Sequence, residues 1–111
     1  MSADRLQKLL EFHRNDPQDP FLKYAIATEY VSAGSLQDGL NWFTDLVEHH
    51  PAYVGTYYHL GRLYERLGKT GEAIGIYRQG MTAARSAGDR HAYSELLGVY
   101  NSLTGMNYED D

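Results

Sequence analysis

Cysteine is absent from the 111 residues, so the chain can hold no disulfide, no thiolate nucleophile and no thiolate metal ligand. That composition fits a reducing compartment. No stretch approaches the roughly 18 apolar residues that a membrane span needs, and Met1-Ser2-Ala3-Asp4-Arg5 lacks the apolar segment of a signal peptide. A cytoplasmic protein with no membrane partner is expected. Positive charge is scarce as well: Lys and Arg number 10 against 15 Asp and Glu, a formal charge of −5. Glu109, Asp110 and Asp111 hold three of those negative charges, which leaves the rest near balance and argues against an electrostatic nucleic-acid binder.

Motifs of catalysis and cofactor binding are missing too. The chain has 11 glycines but no GxGxxG or GxxxxGK run, and no strand is predicted to precede one. Its five histidines include no HExxH spacing. His49-His50 closes a predicted helix, where a cation favours the C-terminal dipole. Acidic pairs such as Asp16/Asp19 and Asp45/Glu48 fall at helix caps or on helical surfaces, and solvated charge explains them better than acid–base chemistry. No enzyme activity, metal or cofactor is expected.

What the chain does have is helical periodicity and ten tyrosines. Leu6, Leu9, Leu10 and His13 share one face of a helix over 3–14, with Leu9 and Phe12 expected to pack on the helix that follows. Asn15-Asp16-Pro17 stops it. Asp19-Pro20 is a helix start, with Asp as the cap and Pro at the first helical position, and Gly34 ends that helix. Ser35-x-x-Asp38 reads as a capping box opening a helix along Leu36, Leu40, Phe43 and Val47. Tyr57, Leu60, Gly61 and Tyr64 stand at 3-and-4 spacing, Gly68 stops their helix, and Ala73, Tyr77 and Gly80 repeat the spacing on the next. Gly61 and Ala73 lack bulk, so two helix backbones are able to approach closely there. A last helix over 90–103 carries Ala92, Leu96, Val99, Tyr100 and Leu103 behind the Gly88-Asp89 stop and cap.

The run Tyr57-x-x-Leu60-Gly61-x-x-Tyr64, followed by Ala73-x-x-x-Tyr77, resembles the tetratricopeptide repeat (TPR), with Tyr in the Trp and Phe slots. Pro17 and Pro51 are 34 residues apart, the period of that repeat. Shifting the signature back by 34 puts Ala27 on Gly61, Tyr30 on Tyr64 and Gly34 on Gly68. Lys23 then stands in the aromatic slot, and Leu46 replaces a small residue, which predicts a local splaying of that pair. The resemblance implies an all-α fold of about six helices, a short right-handed superhelical array of antiparallel helix pairs. One domain is expected over 1–104. It comprises an N-terminal helix at 3–14, repeats at 20–51 and 54–87, a capping helix at 89–103, and an acidic disordered tail over 105–111.

In this family the first helix of each repeat lines a concave groove. Carried onto this chain, that implies a partner-binding set of Phe21, Tyr24, Thr28, Tyr58, His59, Arg62, Arg66, Leu96 and Tyr100. Tyr24 and Tyr58 are not required by the repeat signature, and amphipathic rings with Arg are favoured in recognition sites. The plain alternative is that both tyrosines pack on adjacent helices. A carboxylate clamp for chaperone tails is not expected, because Tyr24, Thr28, His59, Asp89 and Tyr93 occupy its slots. The resemblance therefore implies a non-catalytic module binding an unidentified protein or peptide. The alternative is a homo-oligomeric scaffold joined through apolar end-helix residues Leu96, Leu97, Tyr100 and Leu103.

Overall fold

A computed structural model describes residues 2–105 as six helices, with no strand among the described residues. These are α1 (Ser2–Asn15), α2 (Pro20–Ser32), α3 (Leu36–His49), α4 (Gly55–Arg66), α5 (Thr70–Ala87) and α6 (Arg90–Thr104). The acidic tail expected over 105–111 lies, after Gly105, outside the described residues. None of the helices is long and apolar enough to cross a membrane, among the described residues. The helices group into two compact units divided between His50 and Pro51.

Local chemistry sets the helix ends. The Asp19 carboxylate accepts from the Phe21 amide at 2.9 Å, with Pro20 opening α2 as expected. Asp89 caps α6 in the same way, accepting from the Ala92 amide at 3.0 Å. Ser35 does not form the predicted capping box, since its side chain makes no cap hydrogen bond. Gly34, Gly68, Gly88 and Gly105 stand at helix ends with φ between 70° and 86°, a region open to Gly without a Cβ clash.

In the first unit, α1 buries Leu9 against Ala25 and Ile26 of α2, with Leu6, Leu10, Leu22, Tyr30 and Trp42 around them. His13, rather than Phe12, continues the α1 stripe and meets Trp42 edge-on, with ring centroids 4.9 Å apart. Phe12, expected to pack on the next helix, lies off that stripe and is 57% exposed. The splaying predicted from Leu46 does not occur. Leu46 is wholly buried, and α2 and α3 close together at Gly39, where a Cβ would lie 3.2 Å from the Ala27 carbonyl oxygen.

The second unit pairs α4 with α5 and α5 with α6. A Cβ on Gly61 would overlap the Tyr77 ring, and one on Gly80 would meet the Tyr57 Cβ at 2.5 Å and Leu96 Cδ1 at 3.0 Å. Small residues thus seat large rings in the α4–α5 seam and a leucine in the α5–α6 seam. Tyr57 also donates from its hydroxyl to the Pro51 carbonyl at 2.6 Å, so the Trp-slot ring is fixed at its polar tip as well.

Candidate functional site

The accessible face of α2 belongs to the first unit. Phe21 is 56% exposed at its start. Tyr24, one turn on, lies 6.4 Å from Phe21 on one side and 6.4 Å, edge-on, from the buried Phe43 ring on the other. It packs on α3 while remaining half-exposed. Burial raises its phenol pKa. Thr28 is half-buried and turns its hydroxyl inward, donating to the Ala25 carbonyl at 2.9 Å.

In the second unit, α4 separates packing from presentation. Tyr57, Leu60, Gly61 and Leu63 are buried, whereas His59, Arg62 and Arg66 are exposed and Tyr58 half-exposed. The Tyr58 and His59 rings meet edge-on at 5.5 Å. His59 is open to solvent over its surface, yet desolvation lowers its pKa, and the Glu95 carboxylate of α6 pulls the other way. Arg62 lies 3.5 Å from Glu65, which accepts a hydrogen bond from the Tyr77 hydroxyl. A guanidinium, a carboxylate and a phenol thus run from the face of α4 down into the α4–α5 seam.

Of the two α6 residues expected on this face, one is buried and the other is engaged by α5. Leu96 is 1% exposed, because Gly80 opens a slot in α5 that its side chain fills, so it offers nothing to a partner. Tyr100 is half-exposed and engages α5. Its hydroxyl lies 3.2 Å from both Nε and Nη2 of Arg78, whose guanidinium stands 5.5 Å over the ring. One heptad away, Arg85 repeats the arrangement on Tyr93, donating to its hydroxyl at 2.7 Å with the guanidinium 5.1 Å over the ring. The α6 residue that does face His59 electrostatically is Glu95, itself 3.3 Å from His91 Nε2. Its position three residues after Ala92 on the accessible side was the available signal.

Sequence reasoning also missed an ion pair in the first unit that joins a buried lysine to a half-exposed aspartate. Lys23, the charge in an aromatic slot, has a side chain only 7% exposed, and its Nζ lies 2.9 Å from Asp45 Oδ2. Asp45 Oδ1 lies 3.0 Å from His49 Nδ1. Burial pushes the Asp45 carboxyl pKa up, but the Lys23 hydrogen bond and charge, aided by His49, outweigh it and hold the value below normal. Asp45 is therefore a partner for a buried cation rather than merely solvated surface charge. Among the described residues no cluster of three or more His, Asp and Glu side chains is arranged to hold a metal ion.

At the positions weighed for a chaperone-tail clamp, Asp89 is committed to capping α6 and the Tyr93 hydroxyl to Arg85.

No protein-family model matches the chain, and no curated protein does. Solved structures do. A tetratricopeptide repeat domain protein from Salinibacter ruber is 45% identical in its crystal structure, over 79% of this chain and 99% of that one, with a TM-score of 0.76. A solution structure of that Salinibacter ruber domain protein is matched at 45% identity over 84% and 94% of the two chains, TM-score 0.78. The TPR2B domain of yeast Sti1, solved in a complex with pHsp70, shares 12% identity over 95% and 84% of the chains, and at TM-score 0.85 shows likeness of fold alone. With 45% identity across almost the full Salinibacter ruber domain and the same antiparallel helix pairs, this chain belongs to the tetratricopeptide repeat family.

Proposed function

We propose that the protein is a non-catalytic protein–protein interaction module that takes a peptide segment of a partner on the exposed first-helix faces of its repeats. The division of labour along α4 carries this reading: the signature residues are consumed by packing, while Tyr58, His59, Arg62 and Arg66 stay accessible one step round the helix. A ring pair beside an Arg held by a carboxylate offers stacking, apolar contact and directed hydrogen bonds together. On α2, Phe21, Tyr24 and Thr28 add a second, mainly aromatic face. The yeast Sti1 domain, similar in fold, was solved in a complex with pHsp70, which supports a protein-binding use of this fold. No carboxylate clamp of the chaperone-tail type is part of the proposal.

Self-association through α6 finds less support. Leu96 is buried, and Tyr100, engaged by Arg78, and Leu103 are half-exposed, so among the described α6 residues Leu97 is left as the exposed large apolar side chain. His91, Ser94, Glu95 and Ser102 make the rest of that exposed face polar.

The test is partner capture by immobilised protein from native lysate, with Tyr58→Ala and Arg62→Ala beside the unaltered chain. Both substitutions lie on an accessible face and are expected to leave the thermal midpoint in place while depleting the captured partner. Undiminished capture by both variants overturns the assignment of this face.

A further inference from the structure

Where α6 ends relative to α4 follows from the packing of the second unit. Helix α5 runs antiparallel to both neighbours. Its Tyr77 and Gly80 meet Gly61 and Tyr57 of α4, and its Arg78 and Arg85 meet Tyr100 and Tyr93 of α6. Helices α4 and α6 are therefore parallel, and they touch. Gly80 lies against both Tyr57 and Leu96, which puts those two residues at one level. Nine residues further along each chain segment stand Arg66, closing α4, and Gly105, just past α6. The chain thus leaves α6 beside the C-terminal end of α4.

That end of α4 is basic in a protein of formal charge −5. Arg62, Arg66 and Lys69 follow at spacings of four and three, one stripe along the helix and its stop, and all three are exposed. The helix dipole favours cations here but leaves their outward side without a counter-charge. The one acid of α4, Glu65, is half-buried and already engaged by Tyr77 and Arg62. Among the described residues, Arg66 and Lys69 take part in no ion pair. Six residues follow Gly105, and three of them are acids: Glu109, Asp110 and Asp111. Standing four to six positions on, they can reach roughly 13–20 Å from Gly105 along an extended chain. The rise from Arg62 to Arg66 is only about 6 Å, so the stripe lies well within that span.

We infer that residues 106–111 turn back onto the basic end of α4, with the side-chain carboxylates of Glu109, Asp110 and Asp111 over Arg62, Arg66 and Lys69. Exposed ion pairs are individually weak, but a short tether holds these carboxylates at an effective concentration of roughly millimolar. Three acids against three bases then act as one contact. The segment covers part of the α4 face proposed for a partner and competes with it there, although its docking does not depend on that proposal.

Because the chain has no cysteine, Asn107→Cys gives the full chain a single attachment point for a nitroxide spin label. Paramagnetic loss of amide signal is compared with and without the combined changes Glu109→Gln, Asp110→Asn and Asp111→Asn. The acidic chain is expected to lose about twofold more signal at Arg62 and Arg66, an excess that vanishes between about 0.1 and about 1 M salt as the screening length falls from about 10 to about 3 Å. Arg62→Gln, Arg66→Gln and Lys69→Gln together, all at exposed positions, are expected to abolish the excess as well. Equal losses in the acidic and neutralised chains overturn the inference, as does an excess centred on other cations such as Arg85 and Arg90. Spin-labelled chain is also mixed with isotope-labelled chain that carries no spin label. Losses there as large as those within one chain assign the segment to a neighbouring copy and equally overturn the inference. No partner enters these measurements, so they stand or fall separately from the capture experiment.

Discussion

The hydroxyl of Tyr77, a residue buried in the α4–α5 seam, donates a hydrogen bond to the carboxylate of Glu65 on α4. Gly61 makes this possible, because any Cβ there would overlap the Tyr77 ring. The family signature has Phe in this slot, and the added hydroxyl links the packed seam to Arg62 on the exposed face through Glu65.

Tyr77→Phe is therefore expected to keep the fold and cost about 1.5 kcal/mol, the net worth of a hydrogen bond to a charged group at its lower end. Urea unfolding checks this. The same phenol gives an alkaline signature. Burial, then the hydrogen bond and charge of Glu65, raise its pKa well above the ordinary 10.0. The folded state thus holds a proton that the unfolded state releases above pH 10, and stability falls as pH rises beyond that point. Tyr77→Phe should show a shallower alkaline decline than the unaltered protein, although burial of Tyr24 and Tyr57 also raises their pKa values and leaves part of the slope.

The glycines of the second unit divide into two groups with opposite expected effects. Gly61→Ala and Gly80→Ala each force a methyl into an occupied seam and are expected to destabilise by about 1–3 kcal/mol. Gly75 is exposed in mid-helix, with nothing within 4 Å of a Cβ built on it. Gly75→Ala is expected to stabilise by about 0.5–1 kcal/mol through helix propensity alone. Thermal denaturation of the three variants side by side distinguishes the two effects by sign.

Lys23 depends on Asp45 for its burial. Asp45→Asn keeps the shape but leaves the ammonium without a charge partner, for an expected loss of about 1–3 kcal/mol. That is below the 3–5 kcal/mol typical of fully buried pairs, since the Asp45 side chain is 40% exposed and solvent screens it. The acid profile provides a second reading. Asp45 binds its proton less tightly folded than unfolded, so its contribution is present above the ordinary carboxyl range and is lost as pH falls through its lower folded value. The Asn variant should lack that acid step.

Thr56 is fully buried near the start of α4, and its hydroxyl has no hydrogen-bond partner. Thr56→Val keeps the branched shape without the polar atom and is expected to stabilise by about 1 kcal/mol, as an unsatisfied buried hydroxyl is removed. A lower midpoint in chemical denaturation would overturn that account.

The repeat was legible because its signature is local. Tyr57, Leu60, Gly61 and Tyr64 share a helix face whatever surrounds them, and Gly68 or Gly88 stops a helix through its own backbone freedom. The accessible residues of α4 were legible for the same reason, since Tyr58, His59 and Arg62 follow by rotation from the buried positions. The α6 contributions were read less well. Periodicity put Leu96 and Tyr100 on an apolar stripe, but an apolar stripe does not reveal which neighbour covers each part of it. Gly80 and Arg78 of α5 decided that.

By itself, then, the stretch from Tyr57 to Gly80 determined the helix-turn-helix unit and the small-against-large seams, because both follow from spacing along one chain. Only the tertiary structure decided that Tyr77 reaches Glu65, that Leu96 fills the slot at Gly80, and that Lys23 is neutralised by Asp45. Each joins residues on different helices, 12 to 22 positions apart, and depends on how those helices are rotated and placed against each other. Rotation and placement arise from the packing of all the side chains at once, and no local spacing contains them.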